Sequence, residues 1–180
     1  MELNKLAIRE LLLHPFEIWD KRWFLLTCGD FTKKDFNAMT VAWGSFGTMW
    51  NRPFAQVVVR PVRHTFGFME RHDSFTLCGF HERYREALNL LGTTSGRDGD
   101  KIAAAKLTPM AASRVASPCY EEADLVIECA KMYWQDFDPA HFLATHIAKQ
   151  YPAKDYHRVY FGEVLAVSAA KEFSAGGIGK

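Results

Sequence analysis

Charge of one sign is missing from this chain: 22 Lys and Arg stand against 21 Asp and Glu, a formal balance of +1. No overall field therefore recommends a nucleic acid or an anionic membrane as a partner, and any anion site must be local. Long apolar runs are missing too, none approaching the roughly 18–20 residues that cross a bilayer. The Leu11–Leu13 triplet is followed at once by His14, Pro15, Glu17 and Asp20, with no small-residue cleavage site, so the expectation is a cytoplasmic protein. The four cysteines, Cys28, Cys78, Cys119 and Cys129, form no CxxC pair, which argues against a zinc knuckle or a dithiol redox site. Cys78, Cys119 and Cys129 sit in or beside apolar runs and read as small buried hydrophobes. No internal repeat, low-complexity tract or linker divides the chain, and 180 residues suffice for one domain with a real core.

Aromatic residues are plentiful. They make up 14% of the chain, and fourteen of its residues are Phe. Such a surplus suits a core, a subunit interface or the walls around a planar ligand.

Strand signals dominate. Trp23–Cys28, Phe36–Trp43, the β-branched Phe54–Arg60, Ser74–Phe80, Asp124–Trp134 and Tyr156–Ala169 read as strands, several joined by hairpin-length turns. The glycines of Trp43–Gly47 read as a turn between two of them. Helices are expected over Leu3–Leu13, His64–His72, Glu82–Leu91 and Gly99–Ala105. The balance predicts a mainly β, antiparallel barrel with peripheral helices, occupying 1–180 as one domain with a frayed Gly-rich tail from about 172.

Three stretches carry chemistry. Along Phe36–Trp43, alternation places Ala38, Thr40 and Ala42 on one face and Asn37, Met39, Val41 and Trp43 on the other. The small-residue face suits a planar heteroaromatic lying against the backbone, with Asn37 or Thr40 as hydrogen-bond partners; it equally suits close packing of a second sheet or subunit. In "RPVRHT", Arg60 and Arg63 flank a helix start near His64 and Thr65, where an anion such as a phosphate monoester would be favoured, although a threonine there can be only a cap. "GTTSGRDGDK", Gly92–Lys101, is a second candidate phosphate cradle whose spacing is not that of a P-loop. "WGSFG" lacks the spacing of a nucleophile elbow, and His141 and His146, five apart, make poor zinc co-ligands, so no metal site is expected.

With these segments in order, the chain resembles the flavin reductase-like family of FMN-binding split-barrel proteins over Phe16–Ala169. The resemblance rests on "NAMTVAW", "WNRP", "RPVRHT", "FTLCGF", "SGRDGDK" and "HRVYFGEVL". It implies an antiparallel, Greek-key-like split β-barrel and a homodimer with each flavin near the subunit interface. It also implies that Asn37, Met39, Thr40, Val41, Ala42 and Trp43 line the ring and ribityl chain. Arg63 and Thr65 then fall at the phosphate, where Arg60 adds the charge read above, Ser95, Gly96 and Lys101 fall in a second anchoring loop, and His157 lies near the ring or the nicotinamide side as the candidate catalytic residue. The chain departs from the family pattern at Asp155-Tyr156 before His157, where many relatives have Gly-Asp; at Ile102, where an aromatic often follows the lysine; and at Cys78, often Asn.

The function so implied is an NAD(P)H-dependent flavin oxidoreductase, hydride passing from nicotinamide C4 to flavin N5 while the protein supplies stacking, proximity and electrostatics. An FMN electron-transfer protein reduced by a protein partner is the alternative. A third is a non-enzymatic module using the barrel for another ligand such as haem.

Overall fold

In the computed structural model, which describes residues 3–174, a single eight-stranded antiparallel sheet organises the chain. Its strands are β1 (Asn4–Leu6), β2 (Phe24–Asp30), β3 (Asp35–Val41), β4 (Gly44–Met49), β5 (Arg52–Val59), β6 (Ser74–Gly79), β9 (Leu125–Asp136) and β10 (Arg158–Ala169), and a separate small ribbon pairs β7 (Pro109–Met110) with β8 (Cys119–Tyr120). The main sheet runs β3-β2-β6-β9-β10-β5-β4, with β1 beside β10. It does not close: β3 and β4 are its two ends, which makes it a split barrel rather than a complete one.

Strand β2 shows why the apolar runs are continuous. Phe24, Leu26 and Cys28 point into the barrel interior with Val57, Val59 and Ile127. Leu25 points the other way, into a second core shared with Ala38, Cys78 and Tyr120 and with Leu88 and Leu91 of the outer helix α3 (Arg85–Thr93). A strand covered on both faces has no polar side to alternate with. All four cysteines are free and buried, and burial raises their thiol pKa values, that of Cys28 to about 12. The sulfurs therefore pack as apolar groups and stay protonated.

Among the shorter helices are α1 (Pro15–Glu17), α2 (His64–Arg71), whose Phe68 and Met69 join the barrel core, and α4 (Lys101–Ala104), whose Ile102 joins the second core. Among the described residues, no helix is long and apolar enough to cross a membrane.

Three local expectations are corrected. The segment read as a helix over Leu3–Leu13 is instead β1, paired with Val167–Ala169 of β10, followed by a single 3-10 turn at Ile8–Glu10. The β10 edge captures it, tertiary pairing overriding a weak local preference. The glycines of Trp43–Gly47 do not form a turn: Gly44 opens β4, and the hairpin to β5 turns at Trp50-Asn51. Both of these residues have positive φ, 51° and 59°, as a two-residue hairpin of matching twist requires. In the tail expected to fray, Phe173 is buried and Ser174 bridges Leu11, while 175–180 lie outside the described residues.

Candidate functional site

The barrel splits between β3 and β5. Strand β3 is paired on one side only, by β2. Strand β4 begins at Gly44 opposite Val57, so Val58 and Val59 of β5 lose a partner on that side. The gap is a cleft of about 220 Å³ lined by Met39, Thr40, Val41, Ala42 and Trp43 from β3 and its continuation, Val58, Arg60 and Arg63 from across the split, and His157 just before β10. Free strand edges carry unpaired main-chain N–H and C=O groups. The cleft is therefore lined by backbone donors and acceptors as much as by side chains.

The expected flat face is not the one available. Ala38 packs in the second core against α3, and the Thr40 hydroxyl donates to the Leu88 carbonyl of α3. The Met39 and Val41 side chains belong to the barrel core. Both faces of β3 are thus covered, and what remains for a ligand is its edge together with Ala42 and the half-exposed Trp43.

A second cavity, about 170 Å³, adjoins the first through Arg63 and is lined also by Asn37, His64, Thr65, Ser95, Arg97 and Lys101. Thr65 does not cap its helix. The N-cap of α2 is Arg63, without a side-chain cap, and the buried Thr65 hydroxyl accepts from Asn37 Nδ2 at 2.7 Å. This leaves the hydroxyl proton of Thr65 without an acceptor among the described residues. Gly96 is required by close approach, since a Cβ there would lie 2.2 Å from Asn37 Oδ1.

Lys101 is the least ordinary group of the cavity. It is 5% exposed, and its ammonium donates to the Leu91 and Thr94 carbonyls, each at 3.0 Å. Three N–H bonds are available to an ammonium and two are used. Burial, and then the charge of Arg63, lower its pKa to about 8. Arg63 donates to the Gly92 carbonyl at 2.7 Å and Arg97 to that of Val62 at 3.4 Å. Among the described residues neither arginine nor Lys101 has a carboxylate partner. His64 is held neutral by burial and then by Arg97 and Lys101, which lower its pKa.

Arg60 behaves differently. Its Nη1 donates to both Asp155 carboxylate oxygens, at 2.8 and 3.0 Å, and its Nη2 donates to the Gln150 carbonyl at 2.8 Å. It lines the cleft but not the cationic cavity. The expectation that Arg60 adds free charge at a phosphate is corrected, because Asp155 neutralises it.

His157, 9% exposed, directly precedes β10 rather than lying inside it. Its Nδ1 is 2.8 Å from the Tyr151 hydroxyl, and its ring packs at 5.2 Å from that of Trp43. Burial, then the Arg60 charge, push its pKa down to about 4 against the opposing pull of Asp155. The imidazole is neutral near pH 7.

Every expected site residue thus lies in or beside these two cavities; Gly96 lines a third, which shares Asn37 and Lys101 with the cationic one. Sequence reading missed Arg97, although it sits in the "SGRDGDK" stretch, because that stretch was read for its hydroxyls, glycines and lysine. It also missed Tyr151, Asp155 and Val58, whose roles arise only from contacts across the fold.

The open, split form of this antiparallel barrel is shared by solved structures of flavin-binding proteins. An FMN-binding domain of a flavin reductase-like enzyme from Shewanella baltica is 14% identical, with 97% of this chain and 81% of that one aligned and a TM-score of 0.70. For the flavoredoxin of Methanosarcina acetivorans the figures are 19%, 97%, 80% and 0.68. For the NADH:FAD oxidoreductase of Streptomyces globisporus they are 14%, 86%, 82% and 0.62. A search of curated proteins finds no match. The model of the flavin reductase like domain matches residues 22–176, and the chain belongs to that family.

Proposed function

We propose that the protein binds FMN and acts as an NAD(P)H-dependent flavin oxidoreductase. The observation that carries the reading is the cationic cavity at the end of the split: Arg63, Arg97 and Lys101 converge on it with no carboxylate among the described residues to balance them. Such a donor set fits a phosphate monoester, which would take the third Lys101 proton, an Arg63 N–H and the Thr65 hydroxyl. Unpaired β3 and β5 edges at the adjoining cleft suit a ring rich in amide-like donors and acceptors. When bound, FMN supplies an electron-deficient ring that accepts hydride.

In this reading the residues divide the work simply. Asn37, Thr65, Ser95, Gly96 and Lys101 with Arg63 hold the phosphate end. Met39–Trp43 present backbone to the ring, Thr40 fixing the strand against α3. Arg60, clamped by Asp155, closes the far side of the cleft beside Tyr151 and His157. The neutral His157 ring, held by Tyr151, offers a hydrogen bond without adding charge near the ring.

The chain forms a homodimer in this proposal. The ring cleft is small and open on one side, and Trp50 and Tyr133, their rings 5.8 Å apart, leave an aromatic patch 56% and 43% exposed around the β4–β5 turn and β9, a surface suited to a second copy. An electron carrier reduced by a protein partner is the competing reading.

Purified protein should be yellow, elute as a dimer, and bleach on adding NADH or NADPH under argon. A yellow protein that a ferredoxin-like donor reduces and neither nicotinamide does would select the carrier; a colourless protein that takes up no added FMN would remove the flavin reading.

A further inference from the structure

The segment after β1, residues 8–13, covers one side of a cavity of about 370 Å³. That volume is toward the small end of the range of about 300–1,000 Å³ typical of small-molecule sites. The cavity shares no lining residue with the ring cleft or the cationic cavity, so a ligand filling it sits apart from the flavin.

Its lining is divided by depth. Ile127 of β9 and Val164 of β10 are buried members of the barrel core and form the floor. Leu11 and Leu13 from the covering segment and Phe46 from β4 are partly buried against that core and form walls. Arg9, Thr48 and Asn51 are exposed and stand at the rim. Arg9 is the only charged side chain among the described residues that line the space, and it meets no carboxylate among the described residues. The Thr48 and Asn51 side chains have no hydrogen-bond partner among them either. An apolar tail suits the floor, where it removes apolar surface from water. A carboxylate suits the rim, where a guanidinium can meet both of its oxygens and a hydroxyl and an amide can also donate. An uncharged head would leave Arg9 unmatched, and a cationic one would be repelled.

We propose that this cavity binds a free medium-chain carboxylic acid, its alkyl tail against Ile127 and Val164 and its carboxylate on Arg9. The covering segment is tied down by the β1–β10 pairing at one end and by the Leu11–Ser174 bridge near the other. An acid held between Arg9 on that segment and the β4–β5 hairpin would fasten the two together, so occupancy should raise the melting temperature by mass action. The proposal stands independently of the flavin reading.

The test is calorimetric titration of the full chain with octanoate, octanol and octylammonium. Octanoate should bind at one site per chain and at least about tenfold more tightly than octanol, the difference being the charge-assisted pair with Arg9. Arg9→Glu reverses a charge at an exposed position; it should weaken octanoate about tenfold or more and make octylammonium the better ligand. Thr48→Trp, also exposed, should close the mouth to all three. FMN binding should be unchanged in both variants, which reports that they fold; if Thr48→Trp does not fold, the reversal in Arg9→Glu decides. No octanoate binding, or equal binding of octanoate and octanol, would overturn the proposal. So would octanoate binding that survives Arg9→Glu. Octanoate that displaces FMN would place the carboxylate in the Arg63–Lys101 cavity and overturn it. Octanoate affinity that falls as the chain dimerises at rising protein concentration would give the cavity to a second copy instead, and would overturn it too.

Discussion

The arginines of this protein fall into two populations. Arg22, Arg60 and Arg158 each meet carboxylates: Arg22 reaches the buried Asp124 at 2.7 Å, Arg60 Nη1 meets both oxygens of Asp155, and Arg158 pairs with Asp136 and Glu70 at 2.7 Å each. Among the described residues Arg63 and Arg97 meet carbonyl oxygens and no carboxylate, and with Lys101 they ring one small cavity. Sequence distance does not separate the populations, since Arg60 and Arg63 are three apart. Neutralisation does. A cation paired with a carboxylate holds the fold together, whereas in the proposed reading a cation without one beside a cavity is held for a ligand.

Substitutions should break the two populations in different ways, and the largest effect belongs to the paired set. Arg22→Ala leaves the Asp124 carboxyl buried without its partner; that carboxyl already has a pKa raised by burial, with Arg22 opposing the rise. Urea unfolding should show a loss of about 3–5 kcal/mol, with FMN affinity of the remaining folded protein unchanged. Arg63→Ala should invert this pattern. Its cost should appear in calorimetric FMN titration as about 1.5–3 kcal/mol, with riboflavin, which lacks the phosphate, binding as before; unchanged FMN affinity would remove Arg63 from the site.

The smallest effect is on pH. Lys101 has a pKa of about 8 when no anion is bound, and a phosphate beside it favours the protonated form. The complex therefore takes up a proton, and FMN affinity should fall as pH rises through 8. From pH 7.5 to 9.5 the loss should be roughly tenfold, about 1.4 kcal/mol. Riboflavin binding should stay flat across that window, as should FMN binding to Lys101→Met. A flat profile for the unaltered protein would mean that Lys101 stays outside the phosphate contact.

The legible parts of the molecule were those whose cause is local. Pro61 ends one strand and, with the residues after it, places the boundaries of α2 within a residue, and the β-branched run of β5 is equally plain. The cationic cavity was legible because both of its contributing stretches are helix boundaries, where backbone and charge requirements leave a visible composition. By contrast, β1 owes its conformation to the distant β10, and β4 is a strand built from residues that usually turn, Gly-Ser-Phe-Gly-Thr. The Asp155 clamp on Arg60 spans 95 positions, and nothing in a sequence announces such a pairing. The face of β3 was misjudged for a related reason, since alternation gives which residues share a side but not that α3 would cover it.

The free edge of β3 carries one more consequence. An unpaired strand margin is a template on which another polypeptide can add itself, and proteins ordinarily blunt such margins with charge, proline or a bulge. Here Asn37–Val41 has none of these. A flavin seated along that margin would also act as a guard against self-association, so shelf life and colloidal behaviour should track pigment content.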